Sequence, residues 1–135
     1  MLNVTQLLKA TPLETVQRSH DVAALRMEKV FVGKTKRVRV VAKMRTQIPG
    51  QPKRPIRTVW VEGVDGTKLY KCNVRVRCSC EYWKWFGCAD VLNLDGAAYP
   101  KDVTGVMPDT RNPGYRRQVC KHMVPVLKAI IRERK

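Results

Sequence analysis

Hydrophobic positions along this chain change period several times, and each change marks an element. Thr11-Pro12-Leu13-Glu14 places a capping threonine three residues ahead of a glutamate, with proline in the first turn, which is a helix-start signature. Leu13, Val16, His20, Ala23 and Met27 then recur at spacings of three and four, predicting an N-terminal helical segment within residues 1–27. Val22 and Leu25 fall off that face and leave its end open. From residue 28 the period shortens to two: EKVFV, a turn centred on Gly33, then Val38, Val40, Ala42 and Met44 alternating with Arg37, Arg39, Lys43 and Arg45. That alternation predicts a strand with one apolar and one basic face.

Residues 46–57, TQIPGQPKRPIR, hold three prolines and a glycine and read as an extended basic loop, an arm able to reach a partner. TVWVEGV, Asp65-Gly66 and TKLYKCNVRVRCSC then predict a hairpin. In its second strand Tyr70, Cys72, Val74, Val76, Cys78 and Cys80 share one face, and Lys71, Arg75 and Arg77 the other. Tyr82, Trp85, Phe86, Ala89 and Leu92 restore helical spacing and predict a helix over 81–93, weakened in its middle by Gly87. Residues 94–118 show no periodicity, and so long a loop in a compact chain is either functional or pinned. A last helix, begun near His122 with Pro125 in its first turn, carries the apolar stripe Met123, Leu127, Ile130 and Ile131.

A chain of 135 residues with 44% hydrophobic content makes one domain with a single modest core. Its formal net charge of +16 selects acidic partners: nucleic acid, acidic protein surfaces or anionic lipid. No basic segment followed by a long apolar run opens the chain, and no window approaches the roughly 18 apolar residues of a membrane span. The expectation is a chain outside the membrane, not secreted by a signal peptide, in which five cysteines are better read as metal ligands than as a disulfide framework.

Cys78-x-Cys80 on a strand turns both sulfurs to one side. Cys120-Lys121-His122 repeats the spacing at the mouth of the final helix. Cys78, Cys80, Cys120 and His122 make a Cys₃His set suited to structural Zn²⁺, a closed shell with no position left for a catalytic water. Two alternatives stand beside it: buried free thiols, and a disulfide from Cys78 to Cys120 or Cys88. Cys72 reads as a packed core thiol, Cys88 as lying on a semi-buried helix face, and His20 as a capped or core histidine. With the only Cys/His pair claimed by the metal and no glycine-rich phosphate loop, catalysis is not expected.

C-x-C on a strand, an aromatic-rich helix, a variable insert and C-x-H opening a helix resemble the SWIM zinc finger. More narrowly, CSCEYWKWFG, LDGAAY and NPGYRRQVCKHMVPVL are similar to small phage-encoded SWIM-like proteins. The likeness covers residues 76–131, with 94–118 as insert, and leaves 1–27 and the basic sheet region 28–77 outside it. It implies zinc on Cys78, Cys80, Cys120 and His122, and binding of DNA or protein in place of catalysis. The expected fold is α+β: an N-terminal helix, a small twisted antiparallel sheet of about four strands, and zinc-tethered C-terminal helices on one face, arranged as a SWIM-like ββα unit. Val38, Val40, Val59, Val61, Val74 and Val76 should be buried, with Leu127 and Ile130 packed on them.

Between residues 29 and 77 fourteen Lys and Arg face only Glu62 and Asp65. Arg37, Arg39, Lys43, Arg45, Lys53, Arg54, Arg57, Lys71, Arg75 and Arg77, with Lys29, Lys34, Lys36 and Lys68, are expected to form a continuous positive surface, since a merely soluble face mixes its signs. Two functions fit such a surface. In the first the chain is a structural or assembly component of a phage virion (head, neck, tail or baseplate), built in the host cytoplasm as part of a multi-subunit assembly and docked on acidic neighbours. In the second it binds nucleic acid through phosphates, with Trp60, Tyr70 or Trp83 offering stacking.

Overall fold

A computed structural model describes residues 1–33 and 37–133; Lys34 and Lys36 of the expected basic surface lie outside the described residues. The fold is α+β. Helices α1 (Val4–Ala10) and α2 (Leu13–Arg18) lead through a 3₁₀ turn, Ser19–Asp21, into four strands: β1 (Val22–Val32), β2 (Arg37–Thr46), β3 (Arg57–Gly63) and β4 (Val74–Cys78). Helices α3 (Glu81–Trp85) and α4 (Cys88–Asn93), a 3₁₀ turn at Pro100–Asp102 and α5 (Val124–Arg132) complete the order. The strands form one antiparallel meander in sequential order, with Val40, Val61 and Val76 in register across β2, β3 and β4. No helix among the described residues is long and apolar enough to cross a membrane.

The core lies on one face of the sheet. Val38, Val40, Val59, Val61, Val74 and Val76 are buried as their parity requires, in one cluster with Val4 and Leu7 of α1 and Leu127 and Ile130 of α5. Each fully buried valine or leucine contributes on the order of 1.5–3 kcal/mol, so this layer, not helix propensity, holds the short helices in place.

The N-terminal segment departs from expectation. Helix α1 is capped by Asn3, whose side chain accepts from the Gln6 backbone N–H while the Gln6 side chain accepts from that of Asn3; this Asn-x-x-Gln capping box was not read from the sequence. Thr11 does not cap α2: its hydroxyl donates to the Leu7 carbonyl and accepts from the Val119 N–H, joining α1 to the segment before α5. Thr15 and Ser19 face inward while Leu13 is 70% exposed and His20 is exposed, so the expected apolar helical face does not exist. The chain turns extended at Val22, five residues before the expected end, because residues 22–32 gain a partner in β2. A ladder of that length outweighs a weak 3.6-residue period.

Asp65-Gly66 is not a two-residue turn either. Residues 64–73 connect β3 to β4, and the Asp65 carboxylate accepts from both the backbone and side-chain N–H of Asn73. The expected helix over 81–93 is broken: Gly87 adopts φ +64° between α3 and α4, and a Cβ there would lie 2.6 Å from Cγ of Pro108. Only glycine meets both demands. Gly87→Ala is therefore expected to cost about 2–4 kcal/mol, the left-handed penalty plus overpacking, read as a lower denaturant midpoint at unchanged m-value.

The insert after α4 is pinned along its length. The Val76 N–H donates to the Ala97 carbonyl, setting Ala98 beside β4 as a parallel bridge. Buried Asp90 accepts from the Thr104 N–H, the Thr104 hydroxyl and the Gly105 N–H. Arg117 pairs with Asp95 at 2.8 Å. Helix α5 starts at Val124, two residues beyond His122, with Pro125 in its first turn as expected.

Candidate metal centre

Three breaks in regular structure meet at one end of the sheet. Cys78 is the last residue of β4, Cys80 is the N-cap of α3, and Cys120 and His122 occupy the turn ahead of α5. The turn is closed by the Met123 N–H donating to the Cys120 carbonyl. One ligand atom from each of the four residues lies within 4.8 Å of the others, and all four side chains are buried. All five cysteines are free thiols, so the disulfide alternative is not realised.

By this geometry the group could hold a metal ion. A hydrogen bond from Cys120, followed by those from Cys78 and His122, lowers the Cys80 thiol far below its usual range against the opposing effect of burial. Cys120 alone would lower Cys78 as well, but the bond to Cys80 and burial outweigh it and push Cys78 up to about 12. Burial, then Cys78 and Cys80, raise Cys120. The opposed shifts are the response of sulfurs too close to share negative charge. Nδ1 of His122 is buried without any hydrogen-bond partner. An orphaned imidazole nitrogen beside three clustered sulfurs matches the donor set of tetrahedral zinc.

Cys88 stands outside the four. It is fully buried in α4, where a semi-buried face was expected, and burial first, then Cys80 and Cys78, raises its thiol. Cys72 is a core thiol packed against Gly63 and Gly66.

The basic residues do not form the uninterrupted surface expected. Glu62, only 1% exposed, sits on β3 in register between Arg39 and Arg75 and accepts from both guanidinium groups. Tyr99 of the insert covers them, with the Arg75 and Arg39 guanidinium carbons 4.8 and 5.9 Å from its ring centroid. Arg77 pairs with buried Asp102 at 2.9 Å, and the Trp83 indole N–H donates to the same carboxylate. Three expected binding residues are thereby committed to internal carboxylates. Of the stacking candidates, Trp83 is wholly buried, Trp60 lies 4.5 Å beneath Arg77, and Lys71 lies over Tyr70.

The other expected residues remain outside ion pairs among the described residues: Arg37, Lys43, Arg45, Lys53, Arg54, Arg57 and Lys71. Lys43 donates to the Thr58 hydroxyl and Arg54 to the Gln51 side chain. Arg54 and Arg57 meet Lys121, which sequence reasoning passed over, around a cavity of about 170 Å³ that opens beside Cys80 and His122. A second basin, of about 360 Å³, is lined by Arg45 and Lys53 of the same loop end, and Nε of Arg45 is buried without a partner. Arg54, Arg57 and Lys121 thus stand beside the Cys₃His group, whereas Arg37 and Lys71 lie toward the opposite end of the sheet.

No protein-family model, curated protein or solved structure matches the chain.

Proposed function

We propose that this chain is a non-enzymatic, zinc-fastened binding module of SWIM-like type, acting as a structural or assembly component of a phage virion. The observation that carries the module reading is the buried Cys₃His group, which ties β4, α3 and the start of α5 at one point. Four protein donors fill a tetrahedral shell and leave no position for a reacting water. Docking falls to Arg54, Arg57 and Lys121 beside that point, with Lys53 of the adjoining loop and Lys43 of β2, which would meet an acidic neighbour in the assembled particle. The wider virion setting rests on the resemblance of residues 76–131 to phage-encoded proteins.

Nucleic-acid binding is the second reading, favoured by the same unpaired cations and weakened by the burial of Trp83 and the covering of Trp60. One set of substitutions separates the two. The triple variant Lys43→Glu, Lys53→Glu and Arg54→Glu is expected to keep metal content and melting temperature while losing the ability to restore assembly of particles that lack the chain. If duplex DNA is the partner, the unmodified chain binds it, and the triple variant flattens the plot of log affinity against log salt by about three units. Normal particle assembly by the triple variant would sink the docking surface.

A further inference from the structure

Strand β1 is the feature that neither the metal nor the basic surface explains. Eight successive residues, Ala24–Phe31, are exposed, although they belong to a strand paired along its length with β2. The strand ends the sheet, and among the described residues no backbone group hydrogen-bonds to its outer edge. It carries Leu25, Met27, Val30 and Phe31 as exposed large hydrophobics, Phe31 at 74%. A long, free, apolar edge is a template for another strand, and proteins ordinarily blunt one with proline, charge or bulges. Here the bulge falls at Leu25, near one end, proline is absent, and both cations, Arg26 and Lys29, are tied to acids.

We propose that β1 is a self-association edge on which a second copy of this chain adds its own β1, antiparallel, along the bulge-free stretch Arg26–Val32 with the two-fold axis at Lys29. An axis normal to a continuous sheet pairs residues of the same face, so the numbers of opposed residues add to an even total. Centred on Lys29, Met27 of each copy meets Phe31 of the other on the core-side face, a favourable sulfur–aromatic pair made twice. Glu28 then opposes Val30, and Arg26 opposes Val32. A shift of the axis to Glu28 puts Phe31 against bulged Leu25; a shift to Val30 opposes Phe31 to Lys29. The Lys29 axis is the register that uses the whole regular stretch.

Charge selects the occupant. A protein of net charge +16 repels its own copy over most of its surface. On β1 the charges cancel, Arg26 against Glu28 and Lys29 against Glu133, which lies 2.8 Å from it. The two lysines at the axis bring their own counter-ions. An acidic protein or a nucleic acid finds no unpaired cation on this strand, whereas a second copy supplies matching apolar side chains and an equal set of unpaired backbone donors and acceptors. The inference stands whether or not the metal and docking readings hold.

Sedimentation velocity on the metal-replete full chain from about 1 to 200 µM is expected to show a monomer–dimer equilibrium with Kd in the micromolar range, as suits a small interface. Phe31→Glu, at an exposed position, is expected to weaken that equilibrium at least tenfold at unchanged melting temperature. Lys29→Cys places one added thiol per chain on the axis and is expected to form a disulfide-linked dimer under mild oxidation, which Phe31→Cys and the unmodified chain do not form. A chain monomeric at every concentration, or a dimer that Phe31→Glu leaves intact, overturns the inference, and a dimer that the Lys29→Cys substitution fails to cross-link overturns the register.

Discussion

Stripping the metal is expected to unfold this protein. The Cys₃His group joins three segments at one point: the end of β4, the five-residue helix α3, and the turn that launches α5. α5 delivers Leu127 and Ile130 to the core, so loosening its start exposes the sheet's covered face. Structural zinc supplies on the order of 10–16 kcal/mol of apparent binding energy at neutral pH, as much as or more than the roughly 5–15 kcal/mol by which a domain of this size is stable. Chelator added to the zinc-loaded chain should therefore abolish the cooperative thermal transition, and Cys120→Ser should do the same without chelator. Elemental analysis should return about one zinc per chain before chelation and none after. Protons on Cys78 and Cys120 must leave for the metal to bind, so acidification should release it, and affinity should rise with pH. A chelated chain that melts within a few degrees of the loaded one would reduce the four residues to core packing.

The Cys₃His group was legible because its information is local. Two ligand pairs at x-spacing on predicted elements need no knowledge of strand order, and the parity that buries Val38, Val40, Val74 and Val76 is likewise a property of single strands. The fate of the arginines was not legible. That Glu62 stands between Arg39 and Arg75 follows from register across three strands, and that Arg77 meets Asp102 depends on where an aperiodic insert folds back. The N-terminal misreading has a different cause. Met27 fits a period of four from Ala23 as well as a period of two with Leu25, and β-pairing, invisible in the segment itself, decided for the strand. The solvent-facing pattern of Ala24–Phe31 followed neither period, because this strand lies at the sheet edge with both faces largely uncovered.

Glu62→Ala is expected to be as damaging as the loss of a large core side chain. Its carboxylate, 1% exposed, accepts from Arg39 Nη2 at 2.9 Å and Arg75 Nε at 2.6 Å, and both arginines are about 30% exposed or less under the Tyr99 ring. Removing the acid leaves two half-buried cations on neighbouring strands with no counter-charge, and breaking such a pair costs about 3–5 kcal/mol. Arg39 also loses the charge that, together with Tyr99, raises its guanidinium against the cost of burial. Glu62→Gln keeps the shape and one acceptor oxygen, so its cost should fall between wild type and alanine. Denaturant titration of the metal-loaded variants reads both values. Equal losses for glutamine and alanine would assign the effect to charge alone, and a loss below about 1 kcal/mol in each would mean that Arg39 and Arg75 reach solvent, restoring them as candidates for the docking surface.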